Sequence, residues 1–135
     1  MEGAVMGDKV IRIGGASGFW GDSSVAAPQL VAQGQLDYLV FDYLAELTMS
    51  ILAAARSKNP DLGYATDFVT VTMKSILKDV VARNIKVISN AGGVNPQACA
   101  NAIRASLPNR GWTSASPWCW ATTCCPRSPV CAPKA

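Results

Sequence analysis

The chain has 135 residues, half of them hydrophobic and 16% charged, with a formal charge of +3 and no histidine. This composition is too apolar for disorder to be the main state, and the length allows one globular domain at most. No apolar run reaches the ~20 residues of a membrane-spanning helix, and the opening MEGAVMGDKV lacks the basic flank and apolar core of a secretory signal, so a cytoplasmic setting is expected.

In chain order, Lys9–Ile13 (KVIRI) is short and β-branched and predicts a first strand. A glycine-rich turn follows from Gly14 to Ser24, then a short helix over Val25–Gln33 with Gly34 as its C-cap. Asp37–Phe41 (DYLVF) reads as a second, buried strand. Leu44–Lys58 carries Leu44, Leu47, Ile51, Leu52 and Ala55 at helical spacing, and Asn59–Pro60 stops it. Thr66 or Asp67 is placed to cap a third helix running to Arg83, with Met73, Ile76, Leu77 and Val80 on its apolar face. Ile85–Ser89 (IKVIS) is the third strand, and Asn95–Pro96 makes the N-cap and first position of a helix over Pro96–Arg104.

Alternating strands and helices predict an α/β fold: an incomplete doubly wound, Rossmann-like parallel sheet with helices on both faces. In such sheets ligands bind at the carboxyl ends of the strands. Three segments fall there: Gly14–Asp22, Asp42–Glu46 and Asn90–Asn95. The first offers small residues and backbone N–H groups before a helix, as an anion cradle would, although it is neither G-x-G-x-x-G nor a P-loop and could be a tight turn and no more. Trp20 could stack on a ligand or plug the local core. Asp42 could accept from a substrate hydroxyl, with Glu46 one helical turn away, or simply cap the helix. Asn90-Ala91-Gly92-Gly93 lets backbone approach a ligand, with the alternative of turn and capping duty. Without histidine the usual Ser–His and Cys–His pairs are excluded, and Cys99 reads as a packed small hydrophobe.

Beyond about Ala105 the composition changes. Up to Arg104 nine basic residues face nine acidic ones, so Arg110, Arg127 and Lys134 supply the whole +3. The segment 105–135 also holds four of the five Cys, three of the four Trp and five of the eight Pro. Its cysteines (Cys119, Cys124, Cys125, Cys131) contain no C-x2-C pair, so no metal site is expected. The genetic code suggests a shifted reading frame instead. If each codon takes the last base of one triplet and the first two of the next, Trp112-Thr113 is forced to Asp, Trp118-Cys119 to Val, Cys119-Trp120 to Leu and Trp120-Ala121 to Gly. With permissive choices elsewhere the segment reads GLDLSVAVVLGDDLLP, an apolar strand ending in a Gly-Asp-Asp turn. Residues 1–104 are thus expected to be the start of an α/β domain, and 105–135 an irregular, out-of-frame tail; the alternative is a genuine low-complexity extension. On this reading the chain would lack its fourth strand and would be marginal or aggregation-prone. The body being neutral, neither nucleic acid nor a membrane is an expected partner.

GASGFWGDS at Gly15–Ser23, DYLVFDYLAELTM at Asp37–Met49, LGYATDFV at Leu62–Val69 and SNAGGVNPQACA at Ser89–Ala100 resemble the acyclic terpene utilisation (AtuA-like) family. The resemblance runs through Lys9–Arg104, and the shifted VVLGDDLL is similar to that family's next segment. It implies an α/β domain several times longer than this chain, a catabolic setting beside acyl-CoA enzymes, and no defined reaction or cofactor. It carries over Gly15, Ser17, Gly18, Trp20, Gly21 and Asp22 as a first-turn site, with Asp42, Glu46, Asn90, Gly92, Gly93 and Asn95 as further lining candidates. The expected ligand is a small molecule, acyl-CoA-like or phosphate-bearing. Whether the chain is an enzyme, with Asp42 and Glu46 as candidate catalytic groups, a binding module or an inactive product stays open, as does oligomeric state. Short-chain dehydrogenases share the glycine-rich turn and a later Asn-Ala-Gly, but this chain has neither their G-x-x-x-G-x-G spacing nor a Tyr-x-x-x-Lys.

Overall fold

The computed structural model describes residues 10–106 and the backbone of Trp118–Trp120. The elements are β1 (Ile13–Ser17), α1 (Ala26–Gln33), β2 (Tyr38–Phe41), α2 (Glu46–Lys58), a π turn (Phe68–Met73) leading into α3 (Lys74–Ala82), β3 (Lys86–Ser89), α4 (Pro96–Ser106) and β4 (Trp118–Trp120). All neighbouring strands pair in parallel in the order β1-β2-β3-β4, with Leu39 opposite both Gly14 and Val87. The α/β class and the Rossmann-like alternation stand as expected.

Among the described residues, the main core lies on one face of the sheet. The burial pattern agrees: Gly14, Ala16, Leu39, Phe41, Val87 and Ser89 face a closed core, while Ile13, Gly15, Tyr38, Val40, Lys86 and Ile88 alternate with them and are exposed or half-buried. The core is completed by Val31 of α1, Phe68 and Met73 of the π turn, Ile76 and Val80 of α3, and Cys99 and Ile103 of α4. Phe41, Tyr43 and Phe68 meet edge to face, with ring centroids 5.2 to 6.2 Å apart, a geometry that suits the ring quadrupoles. Helix α2 stands apart, and its buried residue Leu52 lies against Gly93.

The first strand begins four residues later than KVIRI predicts. The chain before it is held by Asp37: the Arg12 N–H donates to Asp37 Oδ2 (2.8 Å), and Arg12 O accepts from the Asp37 and Tyr38 N–H groups. Pairing therefore starts at Ile13, and Val10 and Ile11 are exposed. Gly14 and Gly15 are strand residues, not turn residues. A Cβ on Gly14 would lie 2.6 Å from Leu36 Cδ1, so the glycine lets the α1–β2 segment approach the sheet.

At the other end of α1, Gly34 donates to Leu30 O (2.8 Å) as the C-cap, but the left-handed step belongs to Gln35 (φ 48°). Arg83 donates to Val31 O and Ala32 O, satisfying the carbonyls α1 leaves open. Helix α3 closes with Asn84 in the left-handed region (φ 55°), Asn84 N–H bonding Val81 O and Ile85 N–H bonding Val80 O, a Schellman motif that turns the chain into β3.

The expectation of no strand beyond Ala105 is corrected: Trp118, Cys119 and Trp120 pair with Val87, Ile88 and Ser89 as a fourth parallel strand. The remainder of the shifted-frame segment, including its Gly-Asp-Asp turn, Cys124, Cys125 and Cys131, lies outside the described residues.

Candidate functional site at the strand ends

The carboxyl ends of β1, β2 and β3 are tied to one another by polar contacts. At β1 the register slips between Gly15 and Ser17, so that Ser17 sits opposite Phe41 and its carbonyl accepts from Asp42 N–H (3.2 Å). Such bulges re-aim side chains at sheet rims. Ser17 Oγ is shielded from solvent and has no hydrogen-bond partner among the described residues.

The turn proper is Gly18–Ser24. Asp22 N–H bonds Phe19 O (3.2 Å) with Gly21 at φ 85°, a type II turn that requires glycine at its third position. The Asp22 carboxylate accepts from Gly18 N–H (2.8 Å), and Ser23 Oγ accepts from the Val25 and Ala26 N–H groups at the start of α1. Of the backbone donors expected to cradle an anion, Gly18 N–H thus serves the Asp22 carboxylate and Asp22 N–H the Phe19 carbonyl. Trp20 is half-buried, packs on the core, and donates its indole N–H to Asp67 Oδ1 at 2.6 Å.

Past β2, Asp42 is exposed and Tyr43 is buried. Asn90, just past β3, joins the two strand ends: its amide nitrogen donates to Asp42 Oδ1 (2.7 Å) and its amide oxygen accepts from Tyr43 N–H (2.7 Å). The neutral amide suits this place because it offers a donor to a carboxylate and an acceptor to a backbone amide at once. The Tyr43 hydroxyl meets Thr72 Oγ1 at 3.4 Å inside the π turn. Burial raises the Tyr43 pKa; the Thr72 contact offsets part of that, and the Asp67 charge adds to it.

The remaining residues expected here are placed differently. Gly15 lies within β1 on the open face, where a Cβ would meet nothing within 4 Å. Helix α2 starts at Glu46, with Ala45 extended, so Asp42 neither caps that helix nor stands one helical turn from Glu46. Gly92 packs against Pro96, and Gly93 (φ 52°) against Leu52. Asn95 accepts from Ala98 N–H as the expected cap of α4, and its amide nitrogen braces Pro60 O and Leu62 O, both at 2.8 Å. Burial pushes the Cys99 thiol up to about 12, which removes it as a nucleophile at neutral pH. No group of side chains able to hold a metal ion is present among the described residues, and none of their helices is long and apolar enough to cross a membrane.

Against models of known protein families, residues 11–117 match the acyclic terpene utilisation family protein AtuA. The chain belongs to the acyclic terpene utilisation family. No curated protein and no solved structure matches it. The matched span contains the segments that form the ends of β1, β2 and β3, so in this AtuA-family chain the Ser17, Asp42 and Asn90 cluster lies wholly within the family domain. Three residues that brace the strand ends escaped sequence reasoning in this role: Tyr43 beside Asn90, Thr72 at the Tyr43 hydroxyl, and Asp67 at Trp20. Asp67 looks like a helix cap, yet its side chain caps nothing and turns to Trp20 instead. The available signal was the LGYATDFV segment itself, a polar stretch leading into an apolar helix.

Proposed function

We propose that the chain handles a small acyl or acyl-CoA-linked ligand of terpene catabolism at the carboxyl ends of β1, β2 and β3, in the cytoplasm. The single observation that carries this reading is the Asp42–Asn90 pair. Two side chains from adjacent parallel strands converge at the place where open α/β sheets bind ligands, and one Asp42 oxygen has no partner among the described residues. A fixed carboxylate oxygen there favours a ligand hydroxyl or an enolisable acyl group over a phosphate. Asp22 already occupies the Gly18 N–H, which also disfavours phosphate at the first turn. The acyl portion of the ligand therefore lies at Asp42, and any CoA portion lies outward from it.

Thermal shift of the chain with acyl-CoA thioesters, free branched acids and CoA tests this. Saturating ligand at about 100 times its Kd adds about 2.7 kcal/mol of stability. Acyl-bearing ligands are expected to raise Tm and CoA alone is not; no response to any acyl-bearing ligand, or an equal response to CoA alone, overturns the reading.

A second reading, a binding module without turnover, is favoured by the absence of histidine and by the un-ionised Cys99. Turnover assays with Asp42→Ala and Glu46→Ala separate the two, because a pure binder has no rate to lose.

A further inference from the structure

We propose that the Trp20–Asp67 hydrogen bond is a latch ordering the Gly18–Ser24 turn at the strand ends, and that the π turn Phe68–Met73 aims Asp67 at Trp20. This deepens the ligand reading, on which it rests only in treating the strand ends as a site.

Within the Gly18–Ser24 turn, the other hydrogen bonds of the described residues are local: Gly18 to Asp22, Asp22 to Phe19, and Ser23 to the start of α1. The Trp20 indole N–H alone reaches across the molecule, to a residue 47 positions away, at 2.6 Å and half-buried. Phe19 beside it is 59% exposed, so the apolar anchorage at this point of the turn comes from the Trp20 ring, which packs on the core and which the indole N–H bond fixes in place.

Asp67 stands at the amino end of a six-residue π turn, and Thr72 near its other end contacts the Tyr43 hydroxyl. The Tyr43 N–H is held by Asn90, which also holds Asp42. One helical segment thus touches both the first turn and the residue beside Asp42. A π turn accommodates an extra residue in an α-helix, and π turns recur at functional sites. Each residue of an α-helix turns it by about 100°, so removing one residue swings Asp67 by about that angle relative to α3 and away from Trp20.

The test is amide hydrogen exchange on the full chain without ligand, so its outcome is independent of whether an acyl-CoA binds. Trp20→Phe keeps most of the ring and loses the donor; Asp67→Ala loses the acceptor. Each is expected to speed exchange at Gly18 and Asp22 about tenfold, the size of one charge-assisted hydrogen bond. Exchange at Leu39 and Val87 should stay unchanged. The double variant should add nothing to either single change, Asp67→Asn should restore protection to within about threefold, and deletion of Thr70 should mimic Asp67→Ala. Exchange at Gly18 and Asp22 within about twofold of the unaltered chain in Asp67→Ala, or additive effects in the double variant, overturns the proposal. Should the variants lose the fold, the unaltered chain decides by itself: a Trp20 indole proton protected from solvent supports the latch, and one exchanging at the rate of free indole overturns it.

Discussion

Replacing Asn90 by alanine removes two hydrogen bonds of unequal weight. The bond to Asp42 is exposed, and water replaces it at little cost. The bond from Tyr43 N–H is half-buried in a stretch where Tyr43 itself is 4% exposed, so its loss strands a backbone donor. An unsatisfied buried donor costs about 1–3 kcal/mol. The expected loss is therefore about 2 kcal/mol, which lowers Tm by ~10 °C in a domain of this size. Asp42→Ala removes only the exposed bond and should cost less than about 0.5 kcal/mol. Urea unfolding followed by circular dichroism measures both, with a lower midpoint and an unchanged slope expected for Asn90→Ala. Equal costs for the two variants, or a loss below about 0.5 kcal/mol for Asn90→Ala, would refute the assignment of Asn90 as the tie between β2 and β3.

Glycines next to each other in β1 should respond oppositely. Gly14→Ala forces Leu36 aside and should cost about 1–3 kcal/mol, whereas Gly15→Ala enters open space and should be neutral or stabilising, both read by thermal melts. Arg83→Ala uncovers two carbonyls of α1 and should cost about 1 kcal/mol in the same assay, with faster amide exchange confined to α1. Cys99, with its folded pKa raised from 9.0 to about 12, disfavours ionisation in the folded state. Its contribution is fully present below pH 9 and is lost as pH rises through the folded value, so stability should fall with alkaline pH and Cys99→Ala should flatten that fall. In peptide mass mapping, the Cys99 peptide should resist alkylation at pH 8 until the chain unfolds.

Apolar patterning made β2, β3 and the three longer helices legible, because Leu39, Phe41, Val87 and Ile76 must be inside wherever the chain goes. Asn95 was readable as a cap for a local reason, since its partner Ala98 is three residues away. What was not legible depends on contacts distant in sequence. The start of β1 is set by Asp37, twenty-five residues on, and Gly14 looks like a turn residue until Leu36 is seen against it. The order of the strands has no local signature, so the sequential pairing of β1, β2 and β3 was not readable from the chain. Half of the candidate site was visible as Asp42 and Asn90 at strand ends. The Tyr43–Asn90 and Trp20–Asp67 bonds each span 47 residues, and no periodicity announces them. The π turn was read as continuous helix because FVTVTM satisfies an apolar helical face with or without the extra residue.

Titration calorimetry of a branched acyl-CoA into the full chain, compared with Asp42→Ala and with Lys86→Ala at the amino end of β3, bears most directly on the ligand reading. The account predicts saturable binding by the unaltered chain and by Lys86→Ala, and affinity at least tenfold weaker in Asp42→Ala. Absence of binding, or equal affinity in all three proteins, would contradict it.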